Sequence, residues 1–197
     1  MDQTRFNQQL AFILEADKEK NILRQTYLSG YIRRENDAEH AWHMALMIYL
    51  LKEYSNEKID VAKAMMMALI HDIVEIDAGD TYAYDTEGLK TQKEREAQAS
   101  DRIFGLLPED QKQELQALFE EFERFETPES KFAHAMDNFQ PLLLNHLNGG
   151  RDWREHGVSK TKVVGRQQTT QLGARDIWTY TQSLIDENVE AGNILDE

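Results

Sequence analysis

Apolar residues in this chain recur at helical rather than alternating intervals. Phe6, Leu10, Ile13 and Leu14 stand at i, i+4, i+7 and i+8, the spacing of one helix face, and predict a first helix. A second is predicted to start near Asn36–Asp37, both able to cap it, and to turn Ala41, Met44, Ala45, Ile48 and Leu51 inward. Asp60 is the expected cap of a third, running from Val61 to about Glu75. Its segment Met65-Met-Met-Ala-Leu-Ile70 is apolar nearly all round, as in a central, enclosed helix.

Further along, Lys90 to Leu107 reads as a charged amphipathic helix, and Pro108 stands at a first-turn position of the next. Thr127–Pro128 repeats the cap-plus-proline pattern before a helix bearing Asp137, which Asn148-Gly-Gly150 ends. Trp153 to Gly165 reads as a connector, and a final helix is predicted from about Arg175 to Val189. Between the helical segments, Gly79 to Gly88 has the small, polar and aromatic mix of a loop beside a site. No repeat, low-complexity tract or convincing alternating strand interrupts the pattern. The expected fold class is all-α, one compact domain over residues 1–197.

Composition narrows the setting. At 197 residues, 41% hydrophobic and 29% charged, the chain is long enough to bury a sizeable core. Three Pro and ten Gly suit long helices better than a turn-rich β fold. No apolar run approaches the ~20 residues of a membrane span, and Met1-Asp-Gln-Thr-Arg-Phe6 lacks the pattern of a signal peptide. A cytoplasmic protein is expected, without a membrane partner. Zero cysteines exclude disulfides and thiolate metal sites, so any metal ligands must be His and carboxylate. The formal charge of −14 argues against duplex nucleic acid as a partner. A small phosphorylated substrate remains compatible, because a cation and a few arginines can reverse the potential within one cleft.

The candidate chemistry centres on His71–Asp72, which closes the apolar run and is followed by Glu75, Asp77 and Asp80. Imidazole beside carboxylate at the end of a buried helix packs poorly but suits a divalent metal. Two further residues could complete such a site: His40, within Glu39-His-Ala-Trp-His43, and Asp137, within Phe132-Ala-His-Ala-Met-Asp137. His71 and Asp72 point about 100° apart on an ideal helix, so both reach one ion only if the helix frays or the ion lies over its end. His43 is read either as a packed core histidine or as a partner orienting a metal-bound imidazole.

The order His40, His71–Asp72, Asp137 resembles the signature of the HD-domain phosphohydrolases. The likeness extends to Arg24, to Arg34-Glu-Asn-Asp-Ala-Glu-His40, to His71-Asp-Ile-Val-Glu75 and to Gly79–Asp80. These are similar to the YfbR-like 5′-deoxynucleotidase branch, over roughly Leu23 to Asn145. The resemblance implies an HD-type helical bundle with its motif core at about 23–145 and the helix of about 175–189 packed on it. It also implies that His40, His71, Asp72 and Asp137 hold one divalent ion (Co, Mn, Ni, Fe, Zn or Mg), which activates water and polarises phosphorus.

Glu75 would take the water's proton, with Asp72 also counted in the catalytic set. Arg24 would grip the phosphate, and Asp80 would lie near the sugar or leaving group. Where relatives that accept deoxynucleotides carry tryptophan after the arginine, this chain has Gln25, so contacts made by that tryptophan do not transfer. Between Asp72 and Asp137 only His134 offers an extra imidazole, which favours one metal over two.

The expected activity is hydrolysis of a nucleoside 5′-monophosphate to nucleoside and phosphate. The rivals are a nucleoside triphosphate or another phosphorylated metabolite as substrate, and a non-catalytic metal-binding helical scaffold. Family analogy favours a homodimer. Arg33 and Arg34 are read as a solvated pair. Tyr82 and Tyr84 stack on a base or merely pack the loop, and His146 and His156 are read as ordinary polar residues.

Overall fold

The computed structural model of the chain describes residues 1–30, 32–79 and 89–197. Its long central element is α7 (Pro128–Leu147), capped by the Thr127 side chain on the Ser130 amide, with Pro128 in the first turn. Pro141 lies inside α7 and has no N–H to give the Asp137 carbonyl four residues back, so the ladder is interrupted at that residue. Against α7 pack α2 (Asp37–Leu51) and α3 (Val61–Ile70). Met44, Ile48, Met67, Phe132 and Met136 from these three helices form the main core, with Ile185 of α11 (Arg175–Glu190).

A second core gathers Ile73, Val74, Ile103, Phe104 and Phe119. It joins α4 (Glu75–Ala78), α5 (Leu89–Phe104) and α6 (Glu109–Arg124). The chain leaves the first core at Ala68 and enters the second at Ile70. His71 and Asp72 stand at that junction.

The all-α expectation holds, with four local corrections. A short antiparallel hairpin, β1 (Leu23–Tyr27) and β2 (Arg34–Asn36), occupies a stretch in which no strand was expected. Leu23 pairs with Asn36 and Tyr27 with Arg34, irregularly between. The third helix ends at Ile70, not near Glu75. Past it the bonds tighten to i→i+3, with the Ile73 amide on the Ile70 carbonyl at 3.3 Å and the Glu75 amide on the Asp72 carbonyl at 2.8 Å. Ile73 and Val74 are apolar because they enter the second core, which mimics a continuing helical period.

The third correction concerns the expected connector. It is largely helical, as α8 (Arg151–His156) and α9 (Lys160–Gln167), followed by α10 (Thr170–Gly173). The first helix forms as expected, as α1 (Gln3–Ala16), and its apolar stripe faces outward, with Ile13 and Leu14 strongly exposed. The helix docks through Phe12, stacked on Phe104 at 6.2 Å, and through the Arg5–Asp110 pair at 2.7 Å. The fourth correction is that Pro108 serves as the N-cap of α6 rather than in its first turn. Among the described residues no helix is long and apolar enough to cross a membrane.

Candidate active site

The Asn36 cap sets the position of His40. Its side chain accepts the Glu39 amide at 2.9 Å, and Glu39 accepts the Asn36 amide at 3.2 Å, closing a capping box. The Asp37 amide also bonds the Ile22 carbonyl at 3.2 Å, tying the start of α2 to the approach of β1. His40, one turn in, is fully buried and aims its Nε2 at α7.

Four side chains converge there. His40 Nε2 lies 3.2 Å from Asp137 Oδ1 and 4.0 Å from Asp72 Oδ2. His71 Nε2 lies 3.1 Å from Asp72 Oδ2 and 3.9 Å from Asp137 Oδ1. The tightest group is His40, His71 and Asp72, whose ligand atoms all fall within 4.8 Å of one another. Asp137 joins it through the two imidazoles. Ligands each about 2.1 Å from one ion lie roughly 3.0 to 4.2 Å apart, a range that contains the four imidazole–carboxylate distances.

Proton placement supports the same reading. His71 Nδ1 gives its hydrogen to the Ala68 carbonyl at 2.9 Å. His40 Nδ1 faces Gln140 Oε1 at 3.0 Å, an oxygen that can only accept. Both neutral rings therefore carry their proton on Nδ1, and both Nε2 lone pairs face carboxylate oxygens. His71 Nε2 is buried without a hydrogen-bond donor. Acceptors facing acceptors in a dry site require a cation between them, and two nitrogens with two carboxylates suit a divalent transition ion. With no ion there, a proton takes that place. Burial lowers the His71 pKa, but the Asp72 and Asp137 carboxylates outweigh it and push it up to about 9. His40 goes the other way, lowered by burial and by Arg24.

Arg24 comes from β1 with its side chain only 14% exposed. Its Nη1 donates to Asp72 Oδ2 at 2.6 Å and to Asp37 Oδ1 at 3.3 Å, while its Nε is buried without a partner. The residue expected to grip phosphate thus stands beside the cluster with one donor unused. Glu75 opens α4 and is nearly buried, close enough to Arg24 to act on its charge. It therefore sits at a helix N-terminus, not at the C-terminus of a longer third helix. Asp80, Tyr82 and Tyr84 lie outside the described residues.

Three contributors escaped sequence reasoning. Arg166 of α9 places Nη2 3.3 Å from Asp137 Oδ2 with its side chain 44% exposed, a second cation beside the site. The only signal was a basic residue just beyond a segment read as connector. Gln140, one helical turn after Asp137, reaches His40, and Glu35, inside the quoted Arg34-to-His40 motif, reaches Gln140 at 2.7 Å. Burial pushes the Glu35 carboxyl up to about 7.

Other candidates are drawn elsewhere. His43 Nδ1 receives a Gln140 N–H at 3.1 Å, so it partners an imidazole's partner. His134 bonds the Phe122 carbonyl at 2.9 Å and stacks on the Phe122 ring. Asp77 pairs with Arg102 at 2.8 Å. Arg33 pairs with Glu39 at 2.7 Å, and Arg34 lies over the Tyr27 ring. His156 pairs with Asp152, and His146 with Asn188.

Comparison with known proteins gives a consistent picture. A family model described as HD domain matches residues 16–178. The human protein named 5′-deoxynucleotidase HDDC2 is 29% identical over 135 residues, 68% of this chain and 65% of that protein. The chain thus spans just under two thirds of that relative's length. A crystal structure described as a predicted metal-dependent phosphohydrolase from Magnetospirillum magnetotacticum MS-1 superimposes with a TM-score of 0.93 at 46% identity, covering 97% of this chain and 96% of that one. A conserved hypothetical protein from Pyrococcus furiosus matches at TM-score 0.59 and 25% identity, over 88% of this chain and 99% of that one.

Proposed function

The chain belongs to the HD domain family, and on that premise we propose that it hydrolyses nucleoside 5′-monophosphates, 5′-deoxynucleotides foremost, to nucleoside and phosphate. The observation that carries this is the meeting of His40, His71, Asp72 and Asp137, with both Nε2 atoms turned to carboxylate oxygens and the unpartnered Nε of Arg24 alongside. The names of the matched relatives point to the same chemistry.

In this reading the four side chains hold one divalent ion. Bound there, such an ion supplies Lewis-acid activation of water and of phosphate oxygen. Arg24 grips the phosphate with its free edge, and a guanidinium fork suits a phosphate monoester. Asp72 anchors Arg24 as well as the ion. Glu75 takes the proton as the water oxygen bonds to phosphorus, and the bond from phosphorus to the 5′ oxygen breaks. The departing oxygen then receives that proton. The family resemblance assigns Asp80 to contact with the sugar or leaving group. The ion is one of Co, Mn, Ni, Fe, Zn or Mg.

The working unit is one HD domain over 1–197, placed in the cytoplasm and paired as a homodimer. The outward face of α2 supports pairing, because Trp42 (63% exposed), Leu46, Tyr49 and Leu50 form an uncovered apolar stripe in this acidic chain. Phosphate release from a panel of 5′-mono- and triphosphates, after chelation and re-addition of Co(II) or Mn(II), tests the activity. Metal-dependent release from monophosphates is expected. Release of triphosphate instead, or no release with any ion, contradicts it.

A further inference from the structure

We infer that Gln140 and Glu35 are positioning residues that lock the His40 imidazole with its proton on Nδ1, leaving Nε2 free to bind the metal. The geometry determines all three groups together. The two N–H bonds of the Gln140 amide point at two acceptors, Glu35 Oε1 at 2.7 Å and His43 Nδ1 at 3.1 Å. Its oxygen is thereby turned to His40 Nδ1 at 3.0 Å, where it can only accept a hydrogen. Reversing the amide would set oxygen against the Glu35 carboxylate and a donor against His40.

The arrangement is dry and closed. Gln140, Glu35 and His40 are each at most 1% exposed, so no solvent competes for these bonds and an unmade one is costly. The links run between β2, α2 and α7, through pairs 105, 97 and 100 residues apart. His71 reaches the same protonation through a backbone carbonyl of its own helix. His40 alone depends on this side-chain chain. Groups holding the far nitrogen of a metal-bound imidazole typically change metal affinity 10–100-fold when removed.

The inference rests on His40 being a metal ligand, and the test separates the two ideas. Imidazole 15N chemical shifts of the metal-free full-length protein report which His40 nitrogen carries hydrogen, without any metal present. Wild type is expected to show Nδ1–H. Gln140→Leu is expected to show a mixture or Nε2–H, with Co(II) affinity measured by titration lowered 10–100-fold. Glu35→Gln keeps an acceptor oxygen and should hold the wild-type tautomer, whereas Glu35→Leu should not.

If Gln140→Leu fails to fold, His43→Ala removes one of the two acceptors from the half-buried side and should give the same shift in smaller measure. An unchanged tautomer and unchanged Co(II) affinity in the folded variants would overturn the inference. Failure of wild type to take up Co(II), with the tautomer locked as described, would overturn the ligand assignment of His40 instead.

Discussion

In the proposed mechanism Glu75 serves turnover and not metal binding, so the two can be separated at one residue. Glu75 is nearly buried at the start of α4 and outside the imidazole–carboxylate cluster. Glu75→Ala is expected to cut kcat about 100-fold or more while one ion still binds. Asp72→Ala should lose both ion and turnover, since it strips the cluster of an oxygen and Arg24 of its 2.6 Å partner. Matched metal titrations and phosphate-release assays check the pair, and full turnover in the Glu75 variant would reject its role. The converging side chains His40, His71, Asp72 and Asp137 were legible in the sequence because His and Asp at a helix start, a helix end and an apolar helix are chemically conspicuous. Arg166 and Gln140 were not. Arginine and glutamine are ordinary surface residues until tertiary packing sets them 3.3 Å from Asp137 and 3.0 Å from His40.

Helices hold these residues through local signals and one close approach. The caps Asn36, Asp60 and Thr127 are each used as the sequence indicated, because capping depends on neighbours three residues away. The hairpin and the break after Ile70 were hidden, one by strands of five and three residues, the other by apolar residues serving a second core. The approach of α10 to α7 was equally invisible. A Cβ on Gly173 would press into the Lys131 carbonyl and the Phe132 backbone, one and a half turns before Asp137. Gly173→Ala is therefore expected to cost about 2 kcal/mol or more by denaturant unfolding. Loss of the Thr127 cap in Thr127→Ala should cost only ~1 kcal/mol. Equal stability of the Gly173 variant and wild type would show that α7 yields freely.

Across the molecule, the charge gathered at the site reaches a buried carboxyl outside it. Glu19, buried in the turn before β1 with one oxygen unpartnered, is pushed up to about 8 by burial and then by Asp72 and Asp37. Its native value exceeds the ordinary 4.5, so its contribution is present at acid pH and is lost as pH rises toward 8. The melting temperature of chelated protein should fall between pH 5 and pH 8. Glu19→Gln should flatten that fall, and an identical slope would contradict the assignment. Adding an ion at 100 times its dissociation constant should stabilise the fold by about 2.7 kcal/mol. Diffraction from crystals grown with Mn(II), recorded at the manganese edge, reads the site directly. A single anomalous peak bounded by His40 Nε2, His71 Nε2 and one oxygen each from Asp72 and Asp137 is expected. No peak there, or one that leaves Asp137 or His40 out of reach, would contradict it.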